Sequence, residues 1–321
     1  MQFTFLGTSA AAPTRKRFLS SLAFRFTQNP DWLLFDCGEG AQCRLLYTRF
    51  SFAHLKHIFI SHLHGDHVFG LFGLLATRDV NGITSPLNIY APPGSQQLLE
   101  TVFKQVDLNL HYTIHYHISA PGKLLLETPE AKVTSWTMKH NPECYGYLIR
   151  EHDKPGRFDI EKARRENIPP GPVFADLKSG KTITLSDGRT IDGNLYTGKP
   201  ITGRKVFIAG DNSDPDSLIP VIKSVDLLIH EATHLQEDRD RSEKGFQHST
   251  ALQTATAAQT AGVRNLILTH FSPRYAHRAK GVDIRDMLEE AVSVYKGNCL
   301  LAGDLHSYIL NRKGELLPNP Q

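Results

Sequence analysis

The run Ile58-Phe59-Ile60-Ser61-His62-Leu63-His64-Gly65-Asp66-His67 constrains this chain more than any other stretch. An apolar segment of strand character stops, and three imidazoles and one carboxylate follow within the next turn. Side chains of this kind, crowded together without a cation, disfavour one another's charged forms and desolvate poorly. Ions such as Zn²⁺ take neutral imidazole nitrogen and carboxylate oxygen, so one tight turn can present ligands to two adjacent metals. A solitary strand histidine such as His115 carries no such implication and reads as an ordinary core or surface residue. Four ligands do not complete two sites, so the fold has to bring other donors to this turn.

The rest of the chain offers them at the ends of apolar strands. His140 follows Lys132–Met138, Asp211 follows Val206–Gly210, His270 follows Leu266–Thr269, and Asp36 follows Trp32–Phe35. Short β-branched and aromatic runs (2–6, 22–26, 32–35, 57–61, 87–90, 112–118, 132–138, 145–149) alternate with helical apolar spacing at 41–47, 68–77 and 95–106. The second half repeats the alternation, with strands near 205–208, 227–229, 265–268 and 300–309 and helices at 249–261 and 284–295. The expected class is α/β, a layered sandwich whose strand-end loops project toward a common edge.

With 321 residues and 40% of them hydrophobic, the chain can bury a substantial core as one large domain or two small ones. Its 36 Lys+Arg against 33 Asp+Glu give a formal charge of +3, too small for wholesale coating of nucleic acid, so any polyanion must be held by local patches. The cysteines at 37, 43, 144 and 299 lack zinc-ribbon spacing and read as reduced, buried thiols in a reducing compartment. The cluster Arg15-Lys16-Arg17 follows the first apolar segment, the reverse of a signal peptide, and no apolar run approaches the ~20 residues of a membrane span. A cytoplasmic protein with no membrane partner is expected.

Residues 151–205 depart from the α/β rhythm. They are rich in Gly and Pro, contain Ile168-Pro169-Pro170-Gly171-Pro172, which excludes a core helix, and Asp187-Gly188, which favours a tight hairpin. They read as an arm inserted into a single domain spanning 1–321.

An Asp after the first strands, H-x-H-x-D-H, a lone His, a lone Asp and a final His, in that order, resemble the five motifs of the metallo-β-lactamase superfamily. The resemblance implies an αββα sandwich with a binuclear site at one edge of its two sheets. Leu6-Gly7-Thr8-Ser9, Phe35-Asp36-Cys37-Gly38-Glu39-Gly40, His230-Glu231-Ala232-Thr233, His248-Ser249-Thr250 and Thr269-His270-Phe271-Ser272-Pro273-Arg274-Tyr275 look like the ribonuclease Z family, endoribonucleases that process transfer-RNA 3′ ends. The arm is similar to that family's flexible exosite, and the length to its short, homodimeric form. One position departs: the family usually has Asn where this chain has Phe18, in a loop that in the family positions the substrate's 3′ end, which bears on preference at the nucleotides flanking the cut.

The resemblance implies two Zn²⁺ per subunit, with Mg²⁺ or Mn²⁺ as substitutes. His62, His64 and His140 would hold one ion, Asp66, His67 and His270 the other, with Asp211 bridging. Asp66 would also accept the proton of the attacking water, and His248, supported by Glu231, would protonate the leaving oxygen. The products would be a 3′-hydroxyl on the tRNA and a 5′-phosphate on the trailer. Asp36 is expected to orient a ligand by hydrogen bonding. Arg15, Lys16, Arg17, Arg274, Lys178, Lys181 and Arg189 are the candidate phosphate contacts for precursor tRNA. Two other readings stay open: a small-molecule hydrolase or phosphodiesterase with the same metal motifs, and an RNA-binding scaffold with a structural metal site. The arm and the stretches at 230–233 and 248–250 favour the tRNA-processing reading.

Overall fold

The structure is a computed structural model that describes residues 1–241, 247–276 and 283–319. In chain order the strands are β1 (Gln2–Gly7), β2 (Ser21–Arg25), β3 (Trp32–Phe35), β4 (Leu55–Phe59), β5 (Leu87–Ala91), β6 (Ile114–Ile118), β7 (Leu124–Glu127), β8 (Ala131–Met138) and β9 (Cys144–Glu151). They continue as β10 (Thr182–Thr184), β11 (Thr190–Asp192), β12 (Lys205–Ile208), β13 (Leu227–Glu231), β14 (Asn265–Thr269), β15 (Asn298–Leu301), β16 (Ser307–Leu310) and β17 (Leu316–Pro318). Two large sheets form, ordered β17-β16-β1-β2-β3-β4-β5-β6 and β15-β14-β13-β12-β9-β8-β7.

Inward-facing aromatics explain why the sheets pack. One register row runs Phe35, Phe59, Tyr90 and His117 across β3 to β6. The Phe35 and Phe59 rings stack at 4.9 Å and the Phe59 and Tyr90 rings at 4.5 Å. Tyr147 of β9 meets this row from the other sheet, 5.1 Å from Phe59 edge-on, and its hydroxyl donates to Ile60 O at 2.6 Å. Helix Gly70–Val80 buries Leu71, Leu74 and Leu75 with Leu34, Ile58 and Ile89 on the outer face of the first sheet. Helix Ala251–Thr260 packs on β13, β14 and helix Ile284–Val294, covering the second. The mixed α/β sandwich is the metallo-β-lactamase architecture expected from the sequence.

Contacts divide the chain into two compact units, residues 1–128, 132–149 and 205–319 in the first and 129–131 with 150–204 in the second. The second unit overlaps residues 151–205, which the sequence marked as an insertion, and adds residues 129–131. It has a core of its own, built from Phe158, Ala163, Ile168, Leu177, Leu185 and Tyr196. Its Asp187-Gly188 step lies in the expected hairpin, where β10 pairs with β11 and Gly188 takes φ 88°. The Pro-rich run stays outside helix, as expected, up to its last residue: Pro172 opens helix Pro172–Lys178 at its first position, where no amide hydrogen is needed.

The strand expected near 300–309 is two, β15 in the seven-stranded sheet and β16 in the eight-stranded one, and the remaining differences are local. The strand expected over 57–61 ends at Phe59, because the Ser61 amide donates to the Asp36 carboxylate instead of to a neighbouring strand. The helix expected from Ser249 begins at Ala251. Thr250 caps it, in a box with Gln253, while the Ser249 hydroxyl donates to Asn212 O. Strand β7 escaped the sequence reading, being short and largely exposed. The four thiols are free, but Cys43 is exposed, against the expectation that all were buried.

Candidate metal centre and active site

Every candidate ligand lies just past a strand end of the first unit. β4 runs into the turn that holds His62 and His64, and the short helix Gly65–Val68 carries Asp66 and His67. The loops after β8, β12 and β14 deliver His140, Asp211 and His270. Because β12, β13 and β14 run parallel, their C-terminal ends share one edge, and Asp211, Glu231 and His270 meet there.

The side chains form two clusters hinged on one carboxylate. His62, His64, His140 and Asp211 can place one donor atom each within 4.8 Å of one another, as can Asp66, His67 and His270. Asp211 Oδ1 lies 3.4 Å from both His67 Nε2 and His270 Nε2. Its Oδ2 lies 3.6 Å from His62 Nε2 and 3.9 Å from His140 Nε2. Asp66 Oδ2 is 3.6 Å from His67 Nε2 and 3.4 Å from His270 Nε2.

The donor chemistry fits a metal. Asp211 is buried and its Oδ2 has no hydrogen-bond partner, with His248 Nδ1 3.6 Å away, so a metal cation at that oxygen would complete its coordination. Imidazole nitrogens converge rather than avoid one another: His62 Nε2 and His64 Nδ1 at 3.0 Å, His140 Nε2 and His64 Nδ1 at 3.2 Å, His67 Nε2 and His270 Nε2 at 3.2 Å. Burial, reinforced by its histidine neighbours, pushes the His62 pKa down to about 2 and so keeps its ring neutral, the form that ligates.

Behind the clusters a set of hydrogen bonds fixes the rings. Asp36 Oδ2 accepts from His67 Nδ1 at 2.7 Å and from the Ser61 hydroxyl at 2.9 Å, so Asp36 stands behind a candidate ligand, as the sequence suggested. The Thr233 hydroxyl bonds Glu231 and lies 2.9 Å from His270 Nδ1. Asn212 donates its amide to Glu231 Oε1 at 2.6 Å and accepts from Lys139 N at 3.1 Å, joining the loops after β12 and β8. His230 is fully buried among Asn212, Thr254 and the Glu231 carbonyl, away from the ligand clusters.

His248 sits against both clusters, its ring 5.3 Å from those of His140 and His270. Its Nδ1 donates to Glu231 Oε1 at 3.2 Å. Burial works against a proton here, but the Glu231 carboxylate, aided by Asp211, outweighs it and pushes the imidazolium pKa up to about 9. Glu231 is held below its ordinary range: its own burial would raise it, and the adjacent His248 reverses that.

Over nearly its whole length the chain is 42% identical to the ribonuclease Z of Crocosphaera subtropica, across 313 residues, 98% of this chain and 99% of that one. The chain belongs to the ribonuclease Z family. In structure it is similar to human tRNase Z, short form, with TM-score 0.65 and 25% identity over 96% of this chain and 98% of that one. It also resembles the metallo-β-lactamase fold protein YhfI of Bacillus subtilis, with TM-score 0.64 and 20% identity over 95% and 98% of the two chains, a likeness of fold. Residues 1–146 match the family described as Anti-Pycsar protein Apyc1. A ribonuclease Z family member in this fold, with this His/Asp cluster, uses a divalent metal, and no described helix is long and apolar enough to cross a membrane.

The candidate phosphate contacts fare unevenly. Arg15 and Lys16 are exposed, as is Arg274, 3.8 Å from Asp238. Arg17 is half-buried. It donates to Thr8 Oγ1 at 2.6 Å and Ala302 O at 2.8 Å, with its guanidinium over the Phe271 ring. In the second unit Lys178 is exposed, Lys181 pairs with Asp176 at 2.8 Å, and Arg189 is bound to Asp187 and to the Glu166 and Asn167 carbonyls. Sequence reasoning passed over Ser61, Asn212 and the Ala11 amide, which donates to Asp66 Oδ2 at 2.6 Å. Ser61 and Asn212 each adjoin a candidate ligand, the one signal that pointed to them.

Proposed function

We propose that this chain is an endoribonuclease that removes 3′ trailers from precursor tRNA, with two zinc ions held by His62, His64 and His140 on one side, Asp66, His67 and His270 on the other, and Asp211 between them. The observation that carries the reading is the pair of donor clusters facing the two oxygens of one buried carboxylate, in a chain of the ribonuclease Z family. Paired divalent ions supply Lewis-acid stabilisation of the phosphodiester and make a water acidic enough to attack at neutral pH.

The protein's own groups do the rest. Asp66, kept ionised by His270 and His67 in spite of its burial, accepts a proton from the attacking water and orients it. His248, protonated well above neutral pH through Glu231, donates a proton to the departing 3′-oxygen, which leaves as a hydroxyl on the tRNA. The trailer keeps the phosphate at its 5′ end. Asp36 and Thr233 hold His67 and His270 by their Nδ1 atoms, leaving each Nε2 toward Asp211. Arg15, Lys16 and Arg274 of the first unit and Lys178, Lys181 and Arg189 of the second are assigned to phosphates of the folded RNA, a substrate recognised by shape. The family reading carries with it a cytoplasmic homodimer.

Incubation with a precursor tRNA, followed by mapping of the cut and both new ends, tests the reaction. A single cut at the trailer junction with 3′-hydroxyl and 5′-phosphate termini is expected. A 3′-phosphate or cyclic phosphate on the upstream product contradicts attack by water.

A further inference from the structure

The loop of residues 8–18 supplies no candidate ligand, yet it delivers a backbone donor to one. The Ala11 amide donates to Asp66 Oδ2 at 2.6 Å, from a residue with φ 56°, a left-handed conformation that an alanine keeps only when its surroundings hold it. Part of the hold is backbone: Thr8 N and Ser9 N donate to Phe18 O at 2.9 and 2.8 Å, Ala10 N to Phe271 O at 3.0 Å, and Phe271 N to Thr8 O at 2.9 Å. The remainder converges on one side chain. Asp304, past the end of β15, accepts from Thr8 Oγ1 at 2.7 Å with one oxygen and from Phe18 N at 2.7 Å with the other. Both flanks of the loop therefore end on a single carboxylate. Its side chain is 3% exposed and faces Arg44 at 3.7 Å, so its charge is matched where it is buried. Arg17 ties the same threonine to Ala302 O, two residues before Asp304.

We propose that Asp304 is a positioning residue for Asp66: by clasping Thr8 and Phe18 it holds loop 8–18 so that the Ala11 amide fixes the Asp66 carboxylate toward His67 and His270. The inference rests on the reading of Asp66 as a metal ligand. It has an asymmetric consequence. Among the described residues, Ala11 hydrogen-bonds Asp66, of the set with His67 and His270, and no hydrogen bond joins it to His62, His64 or His140. Releasing the clasp weakens one metal position and spares the other.

The test uses the full-length chain, first metal-free and then with zinc. Asp304→Asn offers one acceptor where two are used, Thr8→Val removes one of the two donors, and Thr8→Ser restores it. Hydrogen exchange of the metal-free proteins is expected to show the Ala11 amide opening roughly tenfold faster in Asp304→Asn, with a smaller change in Thr8→Val and none in Thr8→Ser. Zinc titration against a competing chelator is expected to show one of two equivalents bound roughly tenfold more weakly in Asp304→Asn, with the other unchanged. Unchanged exchange at Ala11 in folded Asp304→Asn and Thr8→Val overturns the proposal. So does faster exchange with both equivalents held as in the parent chain. If Asp304→Asn does not fold, Thr8→Val against Thr8→Ser decides. A parent chain that binds no zinc overturns the metal reading instead, and the exchange measurement still judges the clasp.

Discussion

Asp211 and His248 define the chemistry at the scale of single residues, and they do so with opposite charges in one buried space. Asp211 keeps its carboxylate ionised in spite of its burial because imidazoles face it, those of His270 and His67 foremost, with His62, His140 and His248 close by, and His248 keeps its proton because Glu231 lies 3.2 Å away. The proton on His248 is available up to a pKa of about 9. Replacing His248 with Asn removes the acid while leaving in place every residue assigned to the ions. The expected result is a loss of roughly 10²–10⁴ in kcat for precursor cleavage, the usual contribution of a general acid, with zinc content unchanged. Retained cleavage in single-turnover assays excludes His248 as the donor. The candidate ligands were legible in the sequence because three imidazoles and a carboxylate crowd one turn and the others terminate apolar strands. Asn212 and Thr233 act only through hydrogen bonds across chain separations of 19 and 37 residues, to Glu231 and His270 respectively, and no spacing rule records such bonds. Arg17 shows the converse limit. Its place in a basic triplet made it a candidate phosphate contact, and in the fold a carbonyl and a ring on distant segments hold its guanidinium.

At the scale of elements, β4 carries the ligand turn at its end and an imidazole within it. His57 packs between strands with Nδ1 3.3 Å from Tyr90 Oη, and burial pushes its pKa down to about 4. The unfolded chain titrates near the ordinary histidine value of about 6.5. Between those values the unfolded state binds a proton that the native state refuses, so native stability falls as pH drops from about 6.5 toward 4 and levels off below. The penalty is on the order of 1–3 kcal/mol. His57→Gln, which cannot titrate, is expected to flatten this slope. Urea melts of the metal-free parent and variant at pH 7.5 and pH 5 measure it, and parallel losses in the two proteins contradict the assignment. Alternating β-branched and apolar runs made most strands readable, but apolar spacing could not show that the run near 300–309 breaks into β15 and β16, which join different sheets. The Ser61 amide left the ladder for Asp36, and the helix start slipped to Ala251 because Thr250, not Ser249, makes the capping box.

For the whole molecule, composition pointed to an inserted segment, and contacts divide the chain into two units. Gly and Pro marked residues 151–205 as an insertion, but the small core of Phe158, Ala163, Ile168, Leu177, Leu185 and Tyr196 spaces its apolar residues too widely for any period to show. The chain enters and leaves this unit side by side. Glu151 N donates to Arg204 O at 2.9 Å, and the Arg204 guanidinium pairs with the Glu151 carboxylate at 2.8 Å, both buried. Replacing residues 152–203 with an Asn-Gly turn should close that gap without disturbing the strands on either side. Every candidate ligand, His248 and Glu231 lie outside the excised segment. The shortened chain should therefore fold, bind the zinc of the parent, and hydrolyse a small phosphodiester such as bis(p-nitrophenyl) phosphate at a comparable rate. Precursor tRNA must lose the contacts assigned to Lys178, Lys181 and Arg189, and with them the advantage of being held at two places at once. A fall in kcat/KM of roughly a hundredfold, carried by KM, is the expected outcome. A folded, zinc-loaded variant with an unchanged KM for precursor tRNA would remove RNA binding from the second unit. Loss of the small-substrate activity as well, with zinc retained, would place part of the second unit's role in the chemical step rather than in binding.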